Sequence, residues 1–158
     1  MNENTKDYGV SEYLFDLTEK QVVTLDHEAT NGEGWILYCQ SFINRPTVFK
    51  NKITGRFRNI ERDNFVEVKV DERQITTFCS SCRNGEICLH SVALLYSWIY
   101  DGDAFLNIEN SIKQLKEMKK GELIDIITRI LLNDSDNIEY VMDRPEDDDD
   151  YDLDGLLN

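Results

Sequence analysis

Basic residues are scarce in this chain. Seventeen Lys and Arg stand against 31 Asp and Glu in 158 residues, a formal net charge of −14. Phosphate affinity comes from neutralising cations, so a polypeptide this acidic repels nucleic acid as a whole, and any such role needs a local patch. No apolar run approaches the roughly 18–20 residues that a membrane span requires, so no membrane partner is expected. The opening segment Met1–Tyr8 is polar, with neither a basic start nor an apolar stretch behind it. No secretory signal is read there, and a reducing, cytoplasmic location is the expectation. His-Glu-x-x-His, Gly-x-Ser-x-Gly and a phosphate-cradling glycine loop are all missing, as is any internal repeat. The chain is therefore expected to be no enzyme and to take no small-molecule substrate.

Apolar material is ample: 41% of residues are hydrophobic, with 7 Phe, 7 Tyr and 2 Trp, which excludes a wholly disordered chain. Charge is unevenly spread. Residues 45–83 carry 9 basic and 5 acidic side chains, whereas residues 143–158 carry 1 basic and 8 acidic. The candidate nucleic-acid patch is Arg45, Lys50, Lys52, Arg56, Arg58 and Arg62. The tail PEDDDDYDLDGLLN cannot bury enough apolar area to offset its ordering, and disorder is expected there.

Ser11 offers a helix N-cap, and Thr18-Glu19-Lys20-Gln21 has the spacing of a capping box opening a helix from about Glu19 to Glu28. From Trp35 to Phe78, the runs WILYCQSF, TVFKNKITGRF, FVEVKV and RQITTF are rich in β-branched and aromatic residues and read as strands, with a hairpin at Asp71-Glu72-Arg73. Cys39 falls on the first of these and is expected to be a core thiol. His27 has no metal-ligand neighbours and is assigned no role. Val92, Leu95, Trp98 and Ile99 mark one face of a helix ending at Asp101-Gly102-Asp103. Two further helical patterns follow, through Ile108, Ile112 and Leu115, then through Leu123, Ile127, Ile130 and Leu131.

The chemistry sits in Cys79-Ser80-Ser81-Cys82-Arg83-Asn84-Gly85-Glu86-Ile87-Cys88-Leu89-His90, three Cys and one His within 12 residues. Zn²⁺ favours four soft or borderline ligands in a tetrahedron, and a closed Cys₃His set leaves no open position. Cys-x-x-Cys supplies one pair of ligands and Cys-x-His, entering a helix, the other. Asn84-Gly85 between them is a strong turn dipeptide. Two alternatives stand beside structural zinc: a redox pair and inert buried thiols. The redox reading wants a helix opening at the first pair, and no helical pattern starts before Leu89. The inert reading leaves unexplained why the cysteines sit among Ser, Arg, Asn and Glu.

Strand, paired cysteines, short loop, Cys-x-His and apolar helix in that order resemble the SWIM-type zinc finger. Leu17-Thr18-Glu19, Gly34-Trp35, Ile53-Thr54-Gly55, the alternating Val66-Glu67-Val68-Lys69-Val70, Leu95-Tyr96-Ser97-Trp98-Ile99 and Glu122-Leu123-Ile124 extend the likeness over residues 17–142. Two departures stand out: Cys-x-x-Cys replaces the family's usual Cys-x-Cys, and Leu89 replaces a usual Lys or Arg. The resemblance implies DNA or protein binding, and the missing cation together with the acidic balance favours protein.

The expected architecture is α+β: an N-terminal helix, a small antiparallel sheet, a zinc knuckle leading into a helix, and a helical extension. The expected segments are 1–16 (polar), 17–100 (SWIM-like zinc-binding domain), 101–142 (helical) and 143–158 (acidic tail). One structural Zn²⁺ is expected on Cys79, Cys82, Cys88 and His90. The expected partner is a protein with a basic surface. The alternatives are DNA bound through the patch, or a role as an acidic mimic of DNA.

Overall fold

A computed structural model describes residues 9–58, 63–82 and 85–142; Arg62, Asn84 and the stretch 143–158 lie outside them. The class is α+β, as the sequence implies. The described chain divides into two compact units, one ending at Gln114 and the other beginning at Leu115.

The first unit opens with α1 (Glu12–Phe15), whose N-cap Ser11 accepts from the Tyr13 N–H at 3.2 Å. The expected capping box starts α2 (Glu19–Thr30). Gln21 N donates to Thr18 Oγ1 at 3.3 Å, and Thr18 N donates to Gln21 Oε1 at 2.8 Å. The run expected to be the first strand is instead a helix, α3 (Glu33–Gln40). Its inward residues Gly34, Leu37 and Tyr38 follow helical spacing, while Ile36 and Cys39 face outward. Cys39 is thus an exposed thiol, not a core one. Tertiary packing overrides the weak strand propensity, because Gly34 lies against α4 where a Cβ would collide with Val92.

Strands β1 (Ile43–Phe49), β2 (Lys52–Arg58), β3 (Asp63–Val70) and β4 (Ile75–Cys79) form an antiparallel meander. TVFKNKITGRF is split by a tight hairpin at Lys50-Asn51, with Lys50 at φ 55°. The sheet is mixed, not purely antiparallel, because the short β5 (Leu106–Asn107) adds parallel to β1 and gives the order β4-β3-β2-β1-β5. Two residues carry no legible strand pattern, so sequence alone could not reveal β5.

Helix α4 (Leu89–Asp101) is the axis of this unit. Its residues Ser91–Tyr96 are all 2% exposed or less, because the sheet covers one side and α2 and α3 the other. Burial all round explains why its apolar residues are not confined to a stripe. From the sheet, Ile53, Phe57, Val66 and Val68 meet it, and β2 comes so close that a Cβ on Gly55 would lie 2.9 Å from Leu94 Cδ1.

Helix α5 (Ile108–Lys116) runs across the boundary between the units. The second unit holds α6 (Lys120–Asn133), a 3₁₀ turn at Ser135–Ile138 and α7 (Glu139–Met142). Both long helices match the expected apolar spacings. No described helix is long and apolar enough to cross a membrane.

Candidate metal centre

The last residue of β4, Cys79, is 2% exposed and starts a turn in which Cys82 N donates to Cys79 O at 3.3 Å. The turn is held to the sheet because Ser80 N donates to Phe65 O and Phe65 N donates to Ser80 Oγ, both at 2.9 Å. The returning loop passes through Gly85 in a left-handed conformation (φ 86°) and is tied to β4 by Thr77 Oγ1 donating to Glu86 O at 2.9 Å. Cys88 is the N-cap of α4 and His90 lies in its first turn. Sheet end and helix start therefore deliver two donors each.

The ligand atoms of Cys79, Cys82, Cys88 and His90 lie within 4.8 Å of one another. His90 Nδ1 is 3.8 Å from Cys79 Sγ and 3.6 Å from Cys82 Sγ. A tetrahedral zinc with bonds of roughly 2.0–2.3 Å sets its donors about 3.5–3.8 Å apart, so these edges have the required length. All three clustered cysteines are free thiols. The cluster can hold one metal ion.

Electrostatics favours a cation there. Burial, then hydrogen bonds with Cys88 and Cys79, push the Cys82 thiol up to about 12. At Cys88 burial also acts to raise the pKa, but hydrogen bonds from His90 and the Ser91 backbone outweigh it and hold the thiol at about 6. A helix N-terminus stabilises a thiolate in this way. One ionised sulfur thus faces another that resists ionising. A divalent ion would remove the conflict by compensating both, and its binding would release thiol protons.

The other face of His90 meets Asn64, whose amide nitrogen is 3.4 Å from Nε2, and Ser81 Oγ donates to Asn64 Oδ1. A histidine bound through Nδ1 carries its proton on Nε2, and two donors cannot pair. A metal held on Nδ1 would call for the opposite orientation of the Asn64 amide, its oxygen accepting from Nε2–H and Ser81 Oγ accepting from its NH₂. Asn64 is 7% exposed, buried at the β3 end beside the cluster. Sequence reasoning missed it, because only the register of β3 against β4 brings it to the histidine.

Compared with known protein families, curated proteins and solved structures, the chain matches none significantly. The metal centre therefore rests on its own geometry.

The basic patch is only partly assembled. Arg45, Arg56 and Arg58 line a shallow concavity of about 430 Å³ on the sheet face turned away from α4, with Asn44, Thr47 and Thr54. A break in the β1–β2 register between Asn44 and Thr47 lets Arg45, at φ 47°, join the other two. The Arg56 guanidinium is 5.6 Å from the Phe65 ring centroid. Lys52 is instead paired with Glu67 at 3.3 Å, and Lys50 lies 5.2 Å from the Phe49 ring centroid at the hairpin tip. Neither lysine lines the concavity.

Proposed function

We propose that this protein is a non-catalytic binding module of the SWIM type, fastened by one structural zinc ion and mediating protein–protein interaction. The observation that carries the reading is the four-donor cluster at the seam between β4 and α4. A closed Cys₃His set leaves no coordination position for an activated water, which suits a structural role over hydrolysis. The longer Cys-x-x-Cys turn still delivers both thiols to His90, so the departure from the usual spacing does not disable the site.

The partner surface is assigned to α6. Ile124, Ile127 and Ile130 are 46–52% exposed on a helix with no buried residue. Contiguous exposed apolar surface of this kind marks interaction sites. Glu122 and Asp125 beside it, and the acidic composition overall, suit a partner with a basic rim.

The test combines metal analysis with partner capture. Protein purified without added zinc is expected to carry one equivalent, lost in Cys88→Ser and in His90→Ala. Capture of partners on wild type is expected to fall when Ile127 is replaced by Glu in a variant that keeps its zinc. Metal-free wild-type protein with an intact fold would sink the zinc reading; enriched partners indifferent to Ile127→Glu would sink the surface.

A second reading, direct nucleic-acid binding, is favoured by one observation. Arg45, Arg56 and Arg58 converge on a single concavity beside Phe65, a phosphate-sized set of cations next to a ring on which a base can stack. Charge reversal at Arg56 and Arg58 is expected to abolish such binding.

A further inference from the structure

Four aromatic rings gather where α2, α3 and α4 meet, away from the cluster of Cys79, Cys82, Cys88 and His90. Trp35 lies 5.0 Å from Tyr96, 5.6 Å from Tyr100 and 5.4 Å from Tyr38, between ring centroids. The Trp35 plane stands at 72° to Tyr96 and 63° to Tyr100. Trp35, Tyr96 and Tyr100, with Glu19, Asp26 and His27, line a concavity of about 310 Å³ that no lysine or arginine among the described residues lines. Trp35 and Tyr100 remain 41% and 45% exposed, so ring surface is open to solvent at its mouth.

Two carboxylates lie behind the rings. Tyr100 donates to Glu19 Oε1 at 2.6 Å, and Tyr96 donates to Asp26 Oδ2 at 3.0 Å. Asp26 also accepts from the Trp35 and Gly34 N–H groups, each at 3.0 Å, and from the Thr30 hydroxyl. Among the described residues no ion pair engages either carboxylate. The bonds that meet these charges come from neutral donors, and both oxygens of Asp26 are committed to them. Burial and the bond to Asp26 raise the pKa of Tyr96, and the bond to Glu19 raises that of Tyr100, so both phenols stay protonated. A phenol donating to a carboxylate gains ring electron density, which strengthens the negative face.

We infer that this concavity binds a quaternary methylammonium group, as carried by a trimethylated lysine side chain or a choline-type molecule. A primary ammonium or a guanidinium demands several acceptors, and both oxygens of Asp26 are already taken, which leaves Glu19 alone to serve it. A trimethylammonium demands none: it presents apolar methyl groups to the rings and spreads its charge over them, where ring quadrupoles and the two carboxylates attract it. The site is separate from the metal centre, because Tyr96 and Tyr100 lie on the order of 10–15 Å along α4 from His90. It holds or fails whatever the fate of the zinc reading.

Calorimetric titration of the full chain tests it with tetramethylammonium chloride, with choline chloride, and with a short peptide bearing trimethyllysine. The controls are the same peptide with unmodified lysine and with the neutral tert-butyl isostere of trimethyllysine. At least one quaternary probe is expected to bind saturably, and the trimethyllysine peptide or choline to bind roughly tenfold tighter than the controls. Preference for the peptide over choline identifies a protein side chain as the source, and the reverse a free small molecule. Tyr100→Leu is expected to weaken binding about tenfold and Glu19→Gln several-fold. Glu19 is exposed, so Glu19→Gln keeps the test decisive should Tyr100→Leu fail to fold. Equal affinity for the neutral isostere, no saturation by any quaternary probe in the millimolar range, or unchanged binding in a folded Glu19→Gln protein overturns the inference.

Discussion

Asp26 is a charged residue that the core requires. It is 2% exposed, and its two oxygens hold the Thr30 and Tyr96 hydroxyls and the first backbone N–H groups of α3. Burial acts to raise its pKa, but those donors together prevail and hold it below the ordinary 3.8. A carboxyl whose folded pKa is depressed contributes stability above its unfolded value, and that contribution is lost as pH falls through the folded value. Asp26→Asn puts an amide donor against backbone donors and is expected to cost about 3 kcal/mol at neutral pH. Urea unfolding at pH 7 and pH 3 checks this: the gap between wild type and variant should shrink at the lower pH, and a constant gap would show that ionisation is irrelevant. Nothing in the sequence marked Asp26, since two of its partners are backbone N–H groups positioned by a left-handed Asn31-Gly32 turn and a third, Tyr96, comes from a distant helix. The Cys₃His cluster was legible for the opposite reason. Its residues are chemically scarce, locally spaced, and need only a turn and a helix start to converge. Asn64 stands between these cases, its residue type ordinary and its place set by strand register. Removing it leaves His90 without a partner on Nε2, and Asn64→Ala is expected to weaken zinc about tenfold or more in competition with a chromophoric chelator. Unchanged affinity would show that Asn64 does not orient the ligand.

At the scale of elements, legibility followed locality. The capping box of α2, the hairpin after β3 and the apolar spacings of α4, α5 and α6 are all written within a few residues, and each formed as expected. The segment at Trp35–Gln40 misled, because Trp, Ile, Tyr and Cys have mild strand preference and its helical face shows only three inward residues. What decides it is the contact of Gly34 with Asp26 and with Val92, the latter nearly sixty residues further along the chain. An added methyl at Gly34 would also lie 2.7 Å from Asp26 Oδ1. Gly34→Ala is therefore expected to destabilise by about 1–3 kcal/mol, although alanine is the better helix former. Thermal unfolding distinguishes the two effects: a stabilised variant would mean that α3 does not pack closely on α4.

For the whole molecule the governing quantity is charge arrangement. A net −14 opposes polyanions at long range, yet Arg45, Arg56 and Arg58 gather in one concavity of the sheet. Screening separates the two influences, because the general repulsion fades with added salt while contact cations lose their counterion-release advantage. If nucleic acid binds at this face, about three phosphates are neutralised, and the slope of log affinity against log salt is expected near −2 for a single strand. Repulsion from the acidic remainder flattens that slope at low salt, so curvature toward zero below physiological ionic strength is part of the expectation. Charge reversal at Arg56 and Arg58 should leave no measurable affinity. A protein partner gripped through the apolar face of α6 predicts a different pattern: a milder decline with salt, as the acidic flank loses its attraction for a basic rim, and no response to those two arginines. Fluorescence anisotropy across a salt series, with wild type and the doubly reversed variant, decides which face the molecule uses.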